Sequence, residues 1–218
     1  MSNQTYIPAL KYNWLTKIYN PLITFTTPET KFKTALINQA NIKPNTDVLD
    51  FGVGTATLSI SLKKQYPLVK LNGVDVDEKN LKIAKQKVEK HNIQITLTQY
   101  DDFILPYEDD YFDRVVTSLV SHHLDKNQKE NALKEIYRVL KPNGELHIAD
   151  RGKPNHFGMR IAFYFVQFLD GFKTTTDNVN GLIPEYLKNA QFRNVETSKS
   201  FNTIFGTIWL YRGIKLLN

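Results

Sequence analysis

The run Val48-Leu49-Asp50-Phe51-Gly52-Val53-Gly54-Thr55-Ala56-Thr57-Leu58-Ser59-Ile60 constrains this chain more than any other. It starts apolar, passes through two glycines one residue apart, and resumes apolar residues at helical spacing. That pattern predicts a buried strand turning tightly into a helix. The glycines let the backbone turn and leave no side chain between main chain and ligand. The loop also presents the unpaired N–H groups of a helix start to whatever lies above the strand. Asp50 stands just before the first glycine, where a phosphate would meet a second anion. A ligand bearing positive charge or an amino group gains from that carboxylate.

The chain on either side extends the pattern. Thr26-Thr27-Pro28-Glu29 has the hydroxyl, early proline and acid of a helix start. The helix runs to about Ala40, with Phe32, Leu36 and Ala40 on one face. Strand 47–51 is followed by helix 57–65, and strand 70–74 ends at Asp75. Asp77 caps a helix with Leu81, Ala84 and Val88 on one face. Residues 93–98 alternate as a third strand, 114–119 form a fourth, and Asp125 opens a helix carrying Leu133, Ile136, Tyr137 and Leu140. Lys141-Pro142-Asn143-Gly144 closes that helix before a fifth strand at 145–149. Strands alternating with helices predict an α/β fold, a Rossmann-like, doubly wound and mainly parallel sheet covered on both faces. A helix near 183–190 precedes strand-like runs at 193–202 and 204–212, whose short connection predicts an antiparallel hairpin at the C-terminal sheet edge.

No linker, repeat or low-complexity block divides residues 1–218, so one domain is expected. Residues 1–27 carry Tyr6, Tyr12, Trp14, Tyr19 and Phe25, too aromatic for a disordered tail, and read as a lid or cover. Residues 151–180 read as a substrate-side insertion. With no cysteine in the chain, disulfides, thiolate metal sites and cysteine nucleophiles are excluded. The N-terminus lacks a signal-peptide pattern, and the apolar stretch 157–172 is interrupted by Arg160, Gln167 and Asp170 and falls short of the ~20 residues that span a bilayer. A cytoplasmic protein without stable membrane insertion is expected. The net charge of +6 is spread over helix faces, as at Lys79, Lys82, Lys85, Lys87 and Lys90, which reads as solvated surface rather than a nucleic-acid patch.

In an open parallel sheet, ligands bind beyond the carboxyl ends of the strands where strand order reverses. Those ends bring Asp50 and the glycine loop, Asp75, Tyr100-Asp101-Asp102-Phe103, the segment from Ser118 to His123, and Asp150-Arg151 into one crevice. Asp75 stands at the distance from the glycines expected of an acid that accepts from ribose hydroxyls. Four acids converging on one crevice make a ligand site. No metal is expected, since no histidine–carboxylate spacing matches a ligand set.

These residues resemble the class I S-adenosylmethionine-dependent methyltransferases, over about residues 30–195. Val-Leu-Asp-Phe-Gly-Val-Gly-Thr is similar to the family's first motif and Gly73-Val-Asp-Val-Asp to its second. Asp101-Asp-Phe-Ile-Leu-Pro-Tyr resembles the segment flanking adenine. Phe112-Asp-Arg-Val-Val-Thr-Ser and Arg138-Val-Leu-Lys-Pro-Asn-Gly-Glu resemble the fourth and fifth strand regions. The resemblance implies that Asp50, Gly52, Gly54 and Thr55 surround the methionine end and Asp75 the ribose. Val76 would pack on adenine, Asp101, Asp102 and Phe103 would flank it, and Ser118 would lie beside the ligand. Tyr19 is placed near the cofactor by analogy. The family often has a third glycine where Ala56 or Thr57 stands.

The resemblance further implies methyl transfer to a small molecule, with S-adenosylhomocysteine as product. Ser121-His122-His123-Leu124 is similar to a segment of ubiquinone-biosynthesis-like methyltransferases, and His122 or His123 could take a proton from a hydroxyl or amine. The competing reading is one packed histidine and one surface histidine. Phe157, Phe163, Tyr164, Phe165 and Phe168, with Tyr12, Trp14 and Tyr19, could line an apolar or aromatic acceptor's pocket, cover the sheet, or form a homodimer interface. Two other functions stay open. A nicotinamide-dependent oxidoreductase shares the sheet, though Asp50 argues against it, and a non-catalytic cofactor-binding or interaction module could keep the fold. A nucleic-acid methyltransferase would need a localised basic face and an Asn/Asp-Pro-Pro-Tyr/Phe type segment, neither of which is present.

Overall fold

The computed structural model describes residues 29–101, 104–156, 158–160, 164, 167, 172–204 and 206–217. Helix α1 (Glu29–Gln39) leads into β1 (Asp47–Phe51), α2 (Thr57–Gln65), β2 (Lys70–Asp75), α3 (Glu78–Lys90) and β3 (Thr96–Gln99). Strand β4 (Phe112–Ser118), a 3₁₀ turn (Ser121–His123), α4 (Lys126–Val139) and β5 (Leu140–Gly152) follow. Helices α5 (Phe172–Val179) and α6 (Ile183–Asn189) precede the hairpin β6 (Arg193–Thr203) and β7 (Gly206–Ile214). The predicted cover at 1–27, and with it Tyr12, Trp14 and Tyr19, lies outside the described residues, as do Phe157, Phe163, Phe165 and Phe168.

The sheet runs β3-β2-β1-β4-β5-β7-β6. Strands β1 to β5 are mutually parallel, and β7 and β6 are antiparallel additions at one edge. Order therefore reverses between β1 and β4, which places the crevice above Phe51 and Ser118. Alternation along the strands explains why both faces are covered. Val48, Val116, Ala149, Ile208 and Leu210 face the layer of α1 and α2, with Phe32, Leu36 and Leu62. Their neighbours Leu49, Val115, Ile148 and Tyr211 face the layer of α4 and α6, with Ile136 and Leu187. Helix α4 starts on a full capping box, Asp125 accepting from Gln128 N at 3.1 Å while the Gln128 side chain accepts from Asp125 N.

Three expected boundaries move. Helix α4 stops at Val139, because Leu140 is already extended and pairs with Phe112; Lys141 to Gly144 then bulge within β5, with Asn143 at φ +64°. Strand β5 continues to Gly152, since β7 pairs with it as far as Gly152↔Thr207. Asp150 and Arg151 are therefore strand residues, beyond the expected end of the strand at Ala149. Strand β3 begins only at Thr96, where pairing with Asn72 starts; Ile93 and Ile95 pack against the α3 side without joining the ladder.

Candidate functional site

The glycine loop is pinned to the end of β2, because Gly52 N and Val53 N both donate to the Val74 carbonyl, at 2.9 and 2.8 Å. Gly52 has φ +71°, and a Cβ there would stand 2.4 Å from Val120 Cγ2 on the segment after β4. Gly54 has φ +53°, and a Cβ there would meet nothing within 4 Å. Ala56 holds the third, left-handed position at φ 60°, ψ 23° as the N-cap of α2, with its side chain buried. An alanine can do this at a cost of about 1–2 kcal/mol, so the loop keeps its turn without a third glycine. Across the crevice, Leu119 leaves β4 at φ 60°.

The acids at the strand ends fall into different environments. Asp75 Oδ2 accepts from Gly54 N and Oδ1 from Asp77 N, both at 2.8 Å, which ties the second strand end to the glycine loop. Burial raises its pKa in spite of these bonds. Asp50 is 1% exposed and accepts from Ser59 Oγ at 2.6 Å. Its burial pushes the carboxyl up to about 6, while Ser59 and Lys33 pull the other way. The two carboxylates that sequence reasoning grouped as open crevice ligands, Asp50 and Asp150, are thus internal groups with protein partners. Asp101 is exposed, and Val76 is half-buried against the core. Thr55 Oγ1 accepts from Lys87 Nζ at 2.8 Å. Ser118 Oγ is buried without a hydrogen-bond partner among the described residues.

A second polar group is built around Asp150, which is 0% exposed. Its Oδ1 meets His122 Nδ1 at 2.6 Å and Arg151 N at 2.7 Å. Its Oδ2 accepts from Ser121 N at 2.6 Å and Ser121 Oγ at 2.8 Å. Burial alone would raise this carboxyl, but the His122 imidazole and the Ser121 and Arg151 donors outweigh it and hold the pKa below the ordinary carboxylate value. His122 is buried, whereas His123 is exposed, with ring centroids 3.9 Å apart. Crowding by the surrounding protein and the neighbouring His122 lower the His123 pKa. Helix α5 is fastened to this region twice. Asn178 Nδ2 donates to Ser121 Oγ at 3.0 Å and to the Arg151 carbonyl at 3.1 Å. Lys129, buried in α4, donates to the Leu124 and Thr174 carbonyls, both at 2.7 Å, and lies 3.7 Å from Asp177.

Residues 48–144 match the family model described as a methyltransferase domain. Over these residues the chain is similar to the class I S-adenosylmethionine-dependent methyltransferases. Among curated proteins, the chain is 34% identical over 144 residues to a demethylmenaquinone methyltransferase of Lactobacillus johnsonii, covering 64% of this chain and 58% of that one. It is 30% identical over 143 residues to the demethylmenaquinone methyltransferase of Thermus thermophilus, covering 63% and 64%. The chain thus spans about 58–64% of the length of these two relatives. In fold it is similar to a SAM-dependent methyltransferase from Aquifex aeolicus, with a TM-score of 0.66 at 17% identity over 94% of this chain and all of that one.

The cofactor of such a methyltransferase domain suits the residues at this edge. Gly54 leaves open space at the turn after β1, and in the sheet order it stands between the Asp75 carboxylate at the end of β2 and Ser118 at the end of β4, whose buried hydroxyl has no partner among the described residues. Tyr19, Asp102 and Phe103 lie outside the described residues. Among the described residues no group of three or more His, Asp or Glu side chains could hold a metal ion, and no helix is long and apolar enough to cross a membrane. Sequence reasoning missed Asn178 and Lys129. Lys129 was findable, since it sits one turn before Leu133 on the apolar face of α4. Asn178 was not, because nothing in its local sequence distinguishes a buried amide from a solvated one.

Proposed function

We propose that this protein transfers a methyl group from S-adenosylmethionine to a small apolar or aromatic acceptor. The observation that carries the reading is the junction at the strand-order reversal, where the Asp75 carboxylate is tied to Gly54 N and Gly54 leaves open space. Asp75 would bind the ribose hydroxyls, Val76 and Asp101 would flank adenine with Asp102 and Phe103, and Ser118 and Thr55 would border the ligand. Asp50 would act through the loop, and Tyr19 would lie near the cofactor. When bound, the cofactor supplies a methyl group already activated by its sulfonium. The protein's task is then to position the acceptor, exclude water and accept a proton from protonated nucleophiles, for which His122 and His123 are the candidates. The two relatives are demethylmenaquinone methyltransferases, which supports an apolar or aromatic acceptor, although the apolar cavity of about 30 Å³ among Phe51, Thr117, Ser121, Ile148 and Tyr186 is too small to hold one. In this reading residues 1–218 form one domain, 1–27 cover the site, 151–180 face the acceptor, and the protein works in the cytoplasm without nucleic acid.

Calorimetric titration with S-adenosylmethionine tests the reading. The wild type should bind, and Asp75→Ala should weaken binding by ~1–3 kcal/mol, the worth of a charge-assisted hydrogen bond. No heat with this ligand, and heat with a nicotinamide dinucleotide instead, would overturn it.

A further inference from the structure

Every hydrogen-bond direction around Asp150 is determined. Arg151 N and Ser121 N are peptide groups and can only donate, so the carboxylate accepts on both oxygens. The Asn178 amide is oriented by the Arg151 carbonyl, which needs a donor, and Nδ2 therefore also donates to Ser121 Oγ. That leaves the Ser121 hydroxyl proton directed at Asp150 Oδ2. With all other positions filled by donors, His122 Nδ1 must donate as well. A neutral His122 then carries its proton on Nδ1 and has Nε2 as its accepting nitrogen.

We propose that Asn178, Ser121 and Asp150 form a positioning relay that locks His122 in this tautomer, with the exposed His123 packed beside it. The inference rests on the methyl-transfer reading. As the acceptor gains its methyl group, its own X–H bond breaks and the proton leaves by way of the histidine pair to solvent, which reaches His123 but not His122. Asn178 belongs to α5, at the end of the 151–180 segment, so the relay couples the acceptor-side helix to the histidine pair. The tilted ring contact, with centroids 3.9 Å apart, is the one through which a fixed His122 positions its neighbour.

The test is ¹⁵N NMR of the histidine side chains at about pH 8, where unperturbed imidazole is neutral. The wild type should show His122 as a single Nδ1–H tautomer with a slowly exchanging proton. Ser121→Ala and Asn178→Ala should each speed that exchange at least tenfold, and the double variant should go no further, because both break one chain. S-adenosylmethionine affinity should stay within about threefold in both. With a short-chain demethylmenaquinol as acceptor probe, kcat should fall at least tenfold and KM for S-adenosylmethionine should not move. A mixed or Nε2–H tautomer in the wild type, additive effects, or unchanged exchange in the variants would overturn the relay. A locked tautomer in a protein that binds no S-adenosylmethionine would overturn the methyl-transfer reading and leave the lock standing.

Discussion

Gly52 and Gly54 belong to one motif, yet their missing side chains do different things. At Gly52 a methyl would meet Val120 Cγ2 at 2.4 Å, in a backbone conformation at φ +71° that already disfavours L residues. Gly52→Ala should therefore destabilise by ~2–4 kcal/mol, the sum of left-handed strain and overpacking. Trimming Val120 to alanine in the same chain should return the overpacking share, giving a favourable coupling of ~1–2 kcal/mol in a urea double-mutant cycle. Simple additivity would show that the contact is not what demands glycine. Asp50 is the other residue whose environment costs stability. Its folded pKa of about 6 lies above the ordinary 3.8, so the folded state binds more protons between those values. Stability then falls as pH rises from 3.8 to about 6, and the deficit is complete above that range. Asp50→Asn, which can still accept from Ser59, should stabilise the ligand-free protein by ~2–3 kcal/mol at neutral pH. The gain should vanish below about pH 4; a gain that persists there would mean packing, not charge, is responsible.

At the scale of elements, the foot of the sheet is held by ionic contacts where the site end is held by loops. Glu145 at the start of the parallel part of β5 accepts from Arg212 Nε of β7 at 2.7 Å and lies 3.4 Å from Arg114 of β4. Burial would raise its carboxyl, but His147, Arg212 and Arg114 together hold it down at about 2. Because the folded pKa is depressed, this group's contribution is present above the ordinary 4.5 and is lost as pH falls toward 2. Glu145→Gln should cost ~2–3 kcal/mol at neutral pH and progressively less below pH 4.5, seen as converging denaturation midpoints in acid. This network joins three strands of two different directions. It follows the strand order β5-β7-β6: Arg212 reaches Glu145 from β7, and Glu196 of β6 lies 3.6 Å beyond it. Sequence periodicity could announce a hairpin at 193–214, but charge pairing between residues 67 apart has no local signal.

For the whole molecule, what was legible in the sequence is what repeats locally. Apolar alternation and caps located the parallel strands and their helices, and the glycine spacing located the crevice, because both depend on neighbours a few residues away. The extension of β5 to Gly152 depended on a strand that arrives 54 residues later, and the burial of Asp150 on Ser121, His122 and Asn178 from two other elements. The site therefore read as four similar acids, whereas the fold sorts them into an internal base partner, an internal loop acid, a ligand-facing candidate and an exposed one. That sorting predicts how the entire fold responds to ligand. S-adenosylmethionine at a hundred times its Kd should add ~2.7 kcal/mol of stability by mass action. For 218 residues that amounts to a rise in Tm of ~5–10 °C. Asp75→Ala should lose most of the rise at the same ligand concentration, since it weakens binding at the crevice. Glu145→Gln should start from a lower Tm and keep the full rise, because its defect lies at the opposite end of the sheet and is present with and without ligand. A scanning calorimeter measures all three proteins in one series. If Glu145→Gln loses the ligand-induced rise as well, the two ends of the sheet are energetically coupled rather than independent.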